Sequence, residues 1–319
     1  MKWGFLGFGR IARKFLESLK AVEGEHAYAF ASRSNASSLA LEFPNVQVYA
    51  SYDALLADEQ VDVIYISTTH NFHCQQVIDS LRAGKHVLCE KPMGISSSEI
   101  EQIKAVALES GKFVMEAMWM RFLPSYQQAI AKVKSGAIGE VKYMTASFGF
   151  RSEEKLHKEG RLLNPALAGG ALYDVGVYPL TIMSDLWGWT PEKINAEAEL
   201  SETGVDQSIQ MQMTFAGGEM AQLFGSVALN TNKEACIYGT EGFVRMPLFW
   251  KSQKFEVVKG EVIEVYEAPY LSTGYAHEII EVVNCIKRDL KESKHFTLND
   301  SLMSARLVES VLSTIFPKK

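Results

Sequence analysis

Cysteine is scarce in this sequence. Cys74, Cys89, Cys236 and Cys285 lie far apart in a chain of 319 residues and form no CxxC pair, which fits reduced cytosolic thiols better than a disulfide framework or a zinc knuckle. No uninterrupted apolar run reaches the roughly 18 residues of a membrane span. Neither sign of charge dominates. The 32 basic and 38 acidic residues leave a formal charge of -6, which argues against a broad footprint for nucleic acid and leaves room for a local basic pocket for one phosphate. The stretch MKWGFLGFGRIARKF places Arg10, Arg13 and Lys14 where an export signal needs apolar residues, so a cytoplasmic location is expected. Internal repeats and low-complexity segments are also missing. With 47% hydrophobic and 22% charged residues the composition is that of an ordinary globular protein, long enough for two domains.

What is present, first, is an alternation of apolar runs and helical patterns. Residues 2–7 (KWGFLG) read as a strand ending in a tight turn, and Ile11, Phe15 and Leu19 then recur at helical spacing. Strands are expected at 26–31, 61–67, 86–90 and 113–116, with helices near 37–42, 75–83 and 97–110 between them. Helical crossovers of this kind imply a doubly wound parallel sheet. That block closes near residue 119, which sets the expected domains at 1–119 and 120–319.

Beyond Pro124 the period changes. After a helix at 125–135, Met144, Ala146, Phe148 and Phe150 alternate with Tyr143, Thr145 and Ser147, and Ile209, Met211, Met213 and Phe215 share one face of a later strand. Residues 216–219 turn that strand back on 220–229, and a second hairpin is expected at FEVVKGEVIEVY, turning through Lys259 and Gly260. The second domain is therefore read as a mostly antiparallel sheet with helices on one side. Helices near 275–290 and 300–315 close the chain, the latter with Asn299 or Asp300 as candidate N-cap. The apolar face at 207–229 calls for cover and predicts a homodimer through that sheet.

The turn after the first strand reads GFGRIA. Gly7 permits the tight turn, Gly9 lets the backbone approach a pyrophosphate at the helix N-terminus, and Ala12 allows close packing of helix on strand. A lone GxGxxG is weak, but between a first strand and a first helix it predicts dinucleotide binding. About 20 positions on, where an NAD site carries a ribose-binding carboxylate, stand Ser32 and Arg33. A hydroxyl beside a guanidinium suits a 2′-phosphate, so NADP(H) is the expected cofactor, with NAD(H) possible.

Three further motifs carry a resemblance. AGKHVLCEKPMG (83–94), with Glu90-Lys91-Pro92 at a strand end, resembles the EKP signature of the glucose-fructose oxidoreductase / inositol 2-dehydrogenase / MocA-like (Gfo/Idh/MocA) family. TTHNFH (68–73) resembles that family's TPNxxH loop, with His70 in place of its asparagine and His73 matching its histidine. GGALYDVGVYPL (169–180) resembles the substrate-domain motif GGGxLxDxGxH, with Asp174 and Gly176 retained and Tyr178 replacing the terminal histidine. That replacement, with MEAMWMRFLP (115–124) and ETGVDQS (202–208), brings the chain nearest to the dimeric dihydrodiol dehydrogenase branch, which also holds NADP-dependent sugar dehydrogenases. The resemblance implies a Rossmann domain followed by an α+β substrate and dimerisation domain, and hydride transfer to or from a sugar or vicinal diol.

The residue chemistry agrees. Removing hydride from a carbinol carbon needs a base for the hydroxyl proton and a cation for the developing alkoxide. Tyr178 is expected as general acid/base, Lys91 as the cation that stabilises its phenolate and anchors substrate, and Asp174 as the group that orients substrate or Lys91. The cofactor set is expected to comprise Gly7, Phe8, Gly9, Arg10, Ile11, Ala12, Ser32, Arg33, Thr68, Thr69, His70, His73, Glu90 and Lys91. Phe150, Asp174 and Tyr178 are expected to meet substrate, while Trp119 and Arg121 either line its pocket or serve packing between domains. His70, His73 and Cys74 lack an evident fourth ligand, so no metal is expected. A non-catalytic dinucleotide sensor would not need Tyr178, and a glycosidase that recycles bound NAD would not need Arg33.

Overall fold

In the computed structural model, which describes residues 1–151 and 156–316, the chain divides into two compact units. One is Met1–Phe122 with Tyr270–Leu302, the other Leu123–Pro269 with Met303–Lys319. The single cut expected at residue 119 is thus corrected to three crossings. The reason is packing of the returning segment on the first unit. The Val114 N–H donates to the Lys291 carbonyl at 3.0 Å, the Ser18 and Thr273 hydroxyls lie 2.7 Å apart, and the Tyr275 ring stacks on Trp119 at 4.7 Å.

The first unit alternates β1 (Lys2–Leu6), α1 (Arg10–Leu19), β2 (His26–Ala31), α2 (Ala36–Glu42), β3 (Gln47–Tyr49), α3 (Tyr52–Leu56), β4 (Val63–Ile66), α4 (His73–Arg82), β5 (His86–Glu90), α5 (Ser97–Ser110) and β6 (Val114–Ala117). Every strand pair is parallel and the order is β3-β2-β1-β4-β5-β6. This is the doubly wound arrangement that the alternation predicts. The central strands are covered on both faces, so β4 (VIYI) is buried at every position and shows no alternation. The order reverses between β1 and β4, and in such sheets ligands bind outside the strand C-termini at that point.

The second unit opens with α6 (Pro124–Lys134) and β7 (Val141–Gly149). A π-helical turn, Leu172–Gly176, runs into α7 (Val177–Trp187). There follow β8 (Lys193–Leu200), β9 (Asp206–Thr214), β10 (Met220–Ser226), β11 (Glu234–Gly239), β12 (Phe243–Pro247), β13 (Lys254–Lys259) and β14 (Val262–Glu267). The sheet order is β14-β13-β12-β11-β7-β10-β9-β8, antiparallel except where β7 and β10 run parallel. Helices α6 and α7 cover one face. Met144, Ala146, Ile209, Met211 and Met213 point to that face and are buried, whereas Gln210 and Gln212 are exposed. The apolar row from which a dimer was expected is therefore covered within its own unit, and the opposite face carries Gln210, Gln212 and Gln222 interleaved with Met220, Phe224, Tyr143 and Tyr238.

The chain then returns to the first unit with α8 (Ala276–Lys287) and ends with α9 (Leu298–Ile315). Two turn assignments shift. Lys259 still pairs with Val262, so the last hairpin turns at Gly260 and Glu261. The cap of α9 is Thr297, whose hydroxyl accepts the Asp300 N–H at 3.0 Å while Asp300 Oδ2 accepts the Thr297 N–H at 2.9 Å, a reciprocal box. Among the described residues one helical stretch, 165–187, meets the length and composition of a membrane span; its most apolar window is 83% buried, as in a core helix.

Candidate active site

Each unit brings its own group of candidate residues together. In the first, the glycine turn joins β1 to α1. Gly7 has φ +79°, its N–H donates to the Ala31 carbonyl at 3.1 Å, and a Cβ there would stand 2.9 Å from Thr68 Cγ2. The space where a Gly9 Cβ would stand has no atom within 4 Å, and α1 begins without a side-chain cap. Its first N–H groups are thus presented to an anion, the cradle a pyrophosphate needs. Ala12 is fully buried under the turn, Phe8 stacks on Phe30 at 4.1 Å, Ile11 is half-buried and Arg10 is exposed.

At the end of β2, the buried Ser32 Oγ accepts the Asn35 N–H at 3.1 Å. The exposed Arg33 guanidinium lies over two rings, 5.2 Å from the centre of Tyr52 and 5.0 Å from that of Phe72. Neither ring was singled out in the sequence. Past β4, Thr68 Oγ1 donates to Gln76 at 2.6 Å, Thr69 Oγ1 donates to Asn71 at 2.8 Å, and His70 opens a short 3-10 turn to Phe72.

His73 is fully buried, with its ring nitrogens 2.8 Å from the Pro92 carbonyl and 3.2 Å from that of Thr68. Burial lowers its pKa, favouring a neutral imidazole that can donate to only one of them. It braces the Thr68 loop against the Glu90-Lys91-Pro92 turn. Glu90 accepts the Tyr65 hydroxyl at 2.6 Å, and Lys91, 8% exposed, follows at the C-terminal end of β5. Sequence reasoning missed a further acid. Glu278 on α8 is fully buried with neither oxygen hydrogen-bonded among the described residues, and burial, then the Glu90 charge, hold it well above the usual carboxylate range.

Trp119 and Arg121 also belong to this unit. Trp119 stacks on Tyr275, while Arg121 donates to the His295 carbonyl at 3.3 Å, pairs with Asp300 at 3.4 Å and lies 4.8 Å from the Phe296 ring centre. Both fasten the segment Tyr270–Leu302 in place.

In the second unit Asp174 and Tyr178 stand four residues apart on the helical run through the π-turn into α7, a spacing that puts side chains on one helix face. Asp174 is 9% exposed and accepts the Arg161 guanidinium at 2.8 Å. Arg161 gave no sequence signal, because a lone arginine in a loop has no pattern. Tyr178 is 7% exposed with its ring 5.4 Å from Phe148, and the half-buried Phe150 lies beyond, 6.3 Å from Phe148.

Among the described residues no three His, Cys, Asp or Glu side chains converge as a metal site requires. The thiols are poor nucleophiles: burial pushes Cys74 up to about 11 and Cys285 up to about 12.

Two family descriptions match the chain: an oxidoreductase family with an NAD-binding Rossmann fold over residues 1–118, and the GFO/IDH/MocA C-terminal domain over 126–245. The chain belongs to the Gfo/Idh/MocA oxidoreductase family. Within this family it is 32% identical to a trans-1,2-dihydrobenzene-1,2-diol dehydrogenase of Xenopus tropicalis over 98% of both chains. It is 33% identical to the Mus musculus enzyme of the same name, over 99% of this chain and 97% of the other. A 3-ketoreductase from Actinomadura kijaniata, solved with NADP and TDP-benzene, superposes with a TM-score of 0.89 at 26% identity, covering 99% of this chain and 98% of its own. This Gfo/Idh/MocA protein is an NAD(P)-dependent oxidoreductase acting by hydride transfer at a hydroxyl or carbonyl carbon.

Proposed function

We propose that the protein is an NADP(H)-dependent dehydrogenase or reductase of vicinal diols, with a trans-dihydrodiol or an aldose as substrate. The observation that carries the reading is the pair Asp174 and Tyr178, buried on one helical run, the first retained from the substrate-domain motif and the second standing in place of its histidine, in a chain that resembles dihydrodiol dehydrogenases over nearly its whole length.

The nicotinamide supplies the hydride acceptor or donor when bound. The chain's own residues handle the proton and the charge. In the oxidative direction Tyr178 takes the proton of the substrate hydroxyl as hydride leaves its carbon, and gives it back in the reductive direction. The Lys91 ammonium lowers the affinity of the phenol for its proton and stabilises negative charge on the substrate oxygen. Asp174, itself held by Arg161, orients the diol through the neighbouring hydroxyl. The glycine turn holds the pyrophosphate, and Ser32 with Arg33 holds a 2′-phosphate. The second unit serves as substrate and dimerisation domain, with the open face of its sheet, where Met220, Phe224, Tyr143 and Tyr238 stand among glutamines, meeting a second copy, and the location is cytoplasmic. A sedimentation mass of one chain at all concentrations would exclude that dimer.

The deciding experiment is turnover of trans-1,2-dihydrobenzene-1,2-diol and a panel of aldoses with NADP+ and with NAD+. Turnover of at least one diol with NADP+, lost in Tyr178→Phe, is expected. Binding of the dinucleotide without turnover of any diol, sugar or dicarbonyl would refute the reading in favour of a sensor.

A further inference from the structure

The helical run that bears Asp174 and Tyr178 is gripped at its start by a side chain from another element. Asp206, the first residue of β9, is 3% exposed, and its Oδ2 accepts the Leu172 N–H at 2.6 Å. The N–H groups of Ala171 and of Asp206 itself also bond to the carboxylate. Just before the turn the chain passes over the same carboxylate at Gly170, whose φ is +127° and where a Cβ would run into Oδ1. At the far end of the turn a Cβ on Gly225 of β10 would stand 3.3 Å from the Gly176 Cα. Both ends of the π-turn are therefore fixed by contacts that leave little slack.

We propose that Asp206 is a positioning residue for the reaction: by holding the amides at the start of the turn, it sets where Asp174 and Tyr178 stand. This rests on the assignment of those two residues to the chemistry made above. An ionised carboxyl is purely an acceptor, and every group bonded to Asp206 is an N–H donor. Once protonated, one oxygen would present an O–H toward donors and the grip would lose an acceptor. Burial without a cation pushes this carboxyl up to about 6 in spite of the N–H groups. The other titratable groups on the turn and on β8, to which Asp206 pairs, are Tyr173, Asp174 with its partner Arg161, and the exposed Lys193, Glu197 and Glu199, while β10 on the other side carries none. Turnover should therefore decline in acid because of a residue that does not touch substrate.

The test is the rate of trans-1,2-dihydrobenzene-1,2-diol oxidation at saturating NADP+, from about pH 5 to 8, for the wild-type chain, Asp206→Asn and Tyr178→Phe. In the wild type kcat should fall below pH about 6. Asp206→Asn keeps an acceptor for Leu172 but cannot titrate. It should flatten that acid limb and lower kcat about tenfold at neutral pH, with cofactor affinity unchanged by nicotinamide fluorescence. An acid limb that survives unaltered in Asp206→Asn overturns the proposal, and so does a wild-type kcat in that variant. Should Asp206→Asn fail to fold, carbon-13 titration of the wild-type aspartates decides: a carboxyl titrating together with the acid limb of kcat supports the proposal, and a kcat flat across that range overturns it. Normal turnover in Tyr178→Phe would remove the assignment and this inference together. An inactive Tyr178→Phe beside an unaltered Asp206→Asn removes the inference alone.

Discussion

The guanidinium of Arg33 lies 5.0 Å from the centre of the Phe72 ring, so the loops after β2 and β4 meet at one cation. Tyr52, at the start of α3, stands 5.2 Å from the same group. Arg33→Ala is expected to weaken NADP(H) binding by about 10- to 100-fold, the range for a hydrogen bond to a charged group, and NAD(H) binding by less than about twofold. Phe72→Ala keeps the charge and removes one wall, for a loss of about two- to fivefold. Nicotinamide fluorescence titration with both cofactors measures this, and equal losses for the two would show that Arg33 does not read the phosphate.

Tyr178→Phe should lower kcat by about 10²- to 10⁴-fold with little change in cofactor affinity. Under the proposed mechanism Lys91→Ala should do at least as much damage, since there its charge serves both phenolate and alkoxide. If the two act as a unit, the double variant will be little worse than Lys91→Ala. Multiplying losses in the double variant would mean that they act independently.

Gly170→Ala tests the close approach over Asp206 without touching a titratable group. The φ of +127° is unfavourable for alanine, and the added Cβ collides with Oδ1. The expected result is a kcat loss of about tenfold or more and a destabilisation of about 1–3 kcal/mol in urea unfolding, with cofactor binding intact. Wild-type kcat and stability in this variant would mean that the contact does not constrain the turn.

Asp206 should mark stability and activity in opposite senses. Its folded pKa of about 6 lies above the unfolded value near 3.9, so the folded state holds the proton more tightly. The resulting stabilisation is complete below the unfolded pKa and is lost as pH rises through about 6, amounting to at most about 3 kcal/mol. Relative to the wild type, Asp206→Asn should therefore gain stability between about pH 4 and 7.5. Urea titrations of both chains across that range measure it. A stability difference that does not change with pH would mean that Asp206 titrates normally.

The fold of the first unit was largely legible, because the parallel strands are short apolar runs between amphipathic helices and Gly7, Gly9 and Ala12 sit at a strand-to-helix joint. β3 and α3 were not, since three and five residues are too short for a period to emerge. In the second unit the alternation at 207–215 revealed two faces, but period cannot say which one the chain's own helices cover. Lys91, Asp174 and Tyr178 stood out through motifs. Arg161, Asp206 and Glu278 did not, because their roles depend on burial and on partners distant in sequence, such as Leu172 for Asp206.

The return of residues 270–302 to the first unit bears on how the protein is made. A ribosome releases the sheet β1 to β6 early, yet the surface around Trp119 and Arg121 stays bare until Tyr275 and His295 have been synthesised. At about 5–20 residues per second that interval lasts on the order of ten seconds. The nascent dinucleotide-binding half thus spends that time incomplete, with apolar surface open to chaperones, and a chain interrupted after Pro269 would be left with that half unfinished.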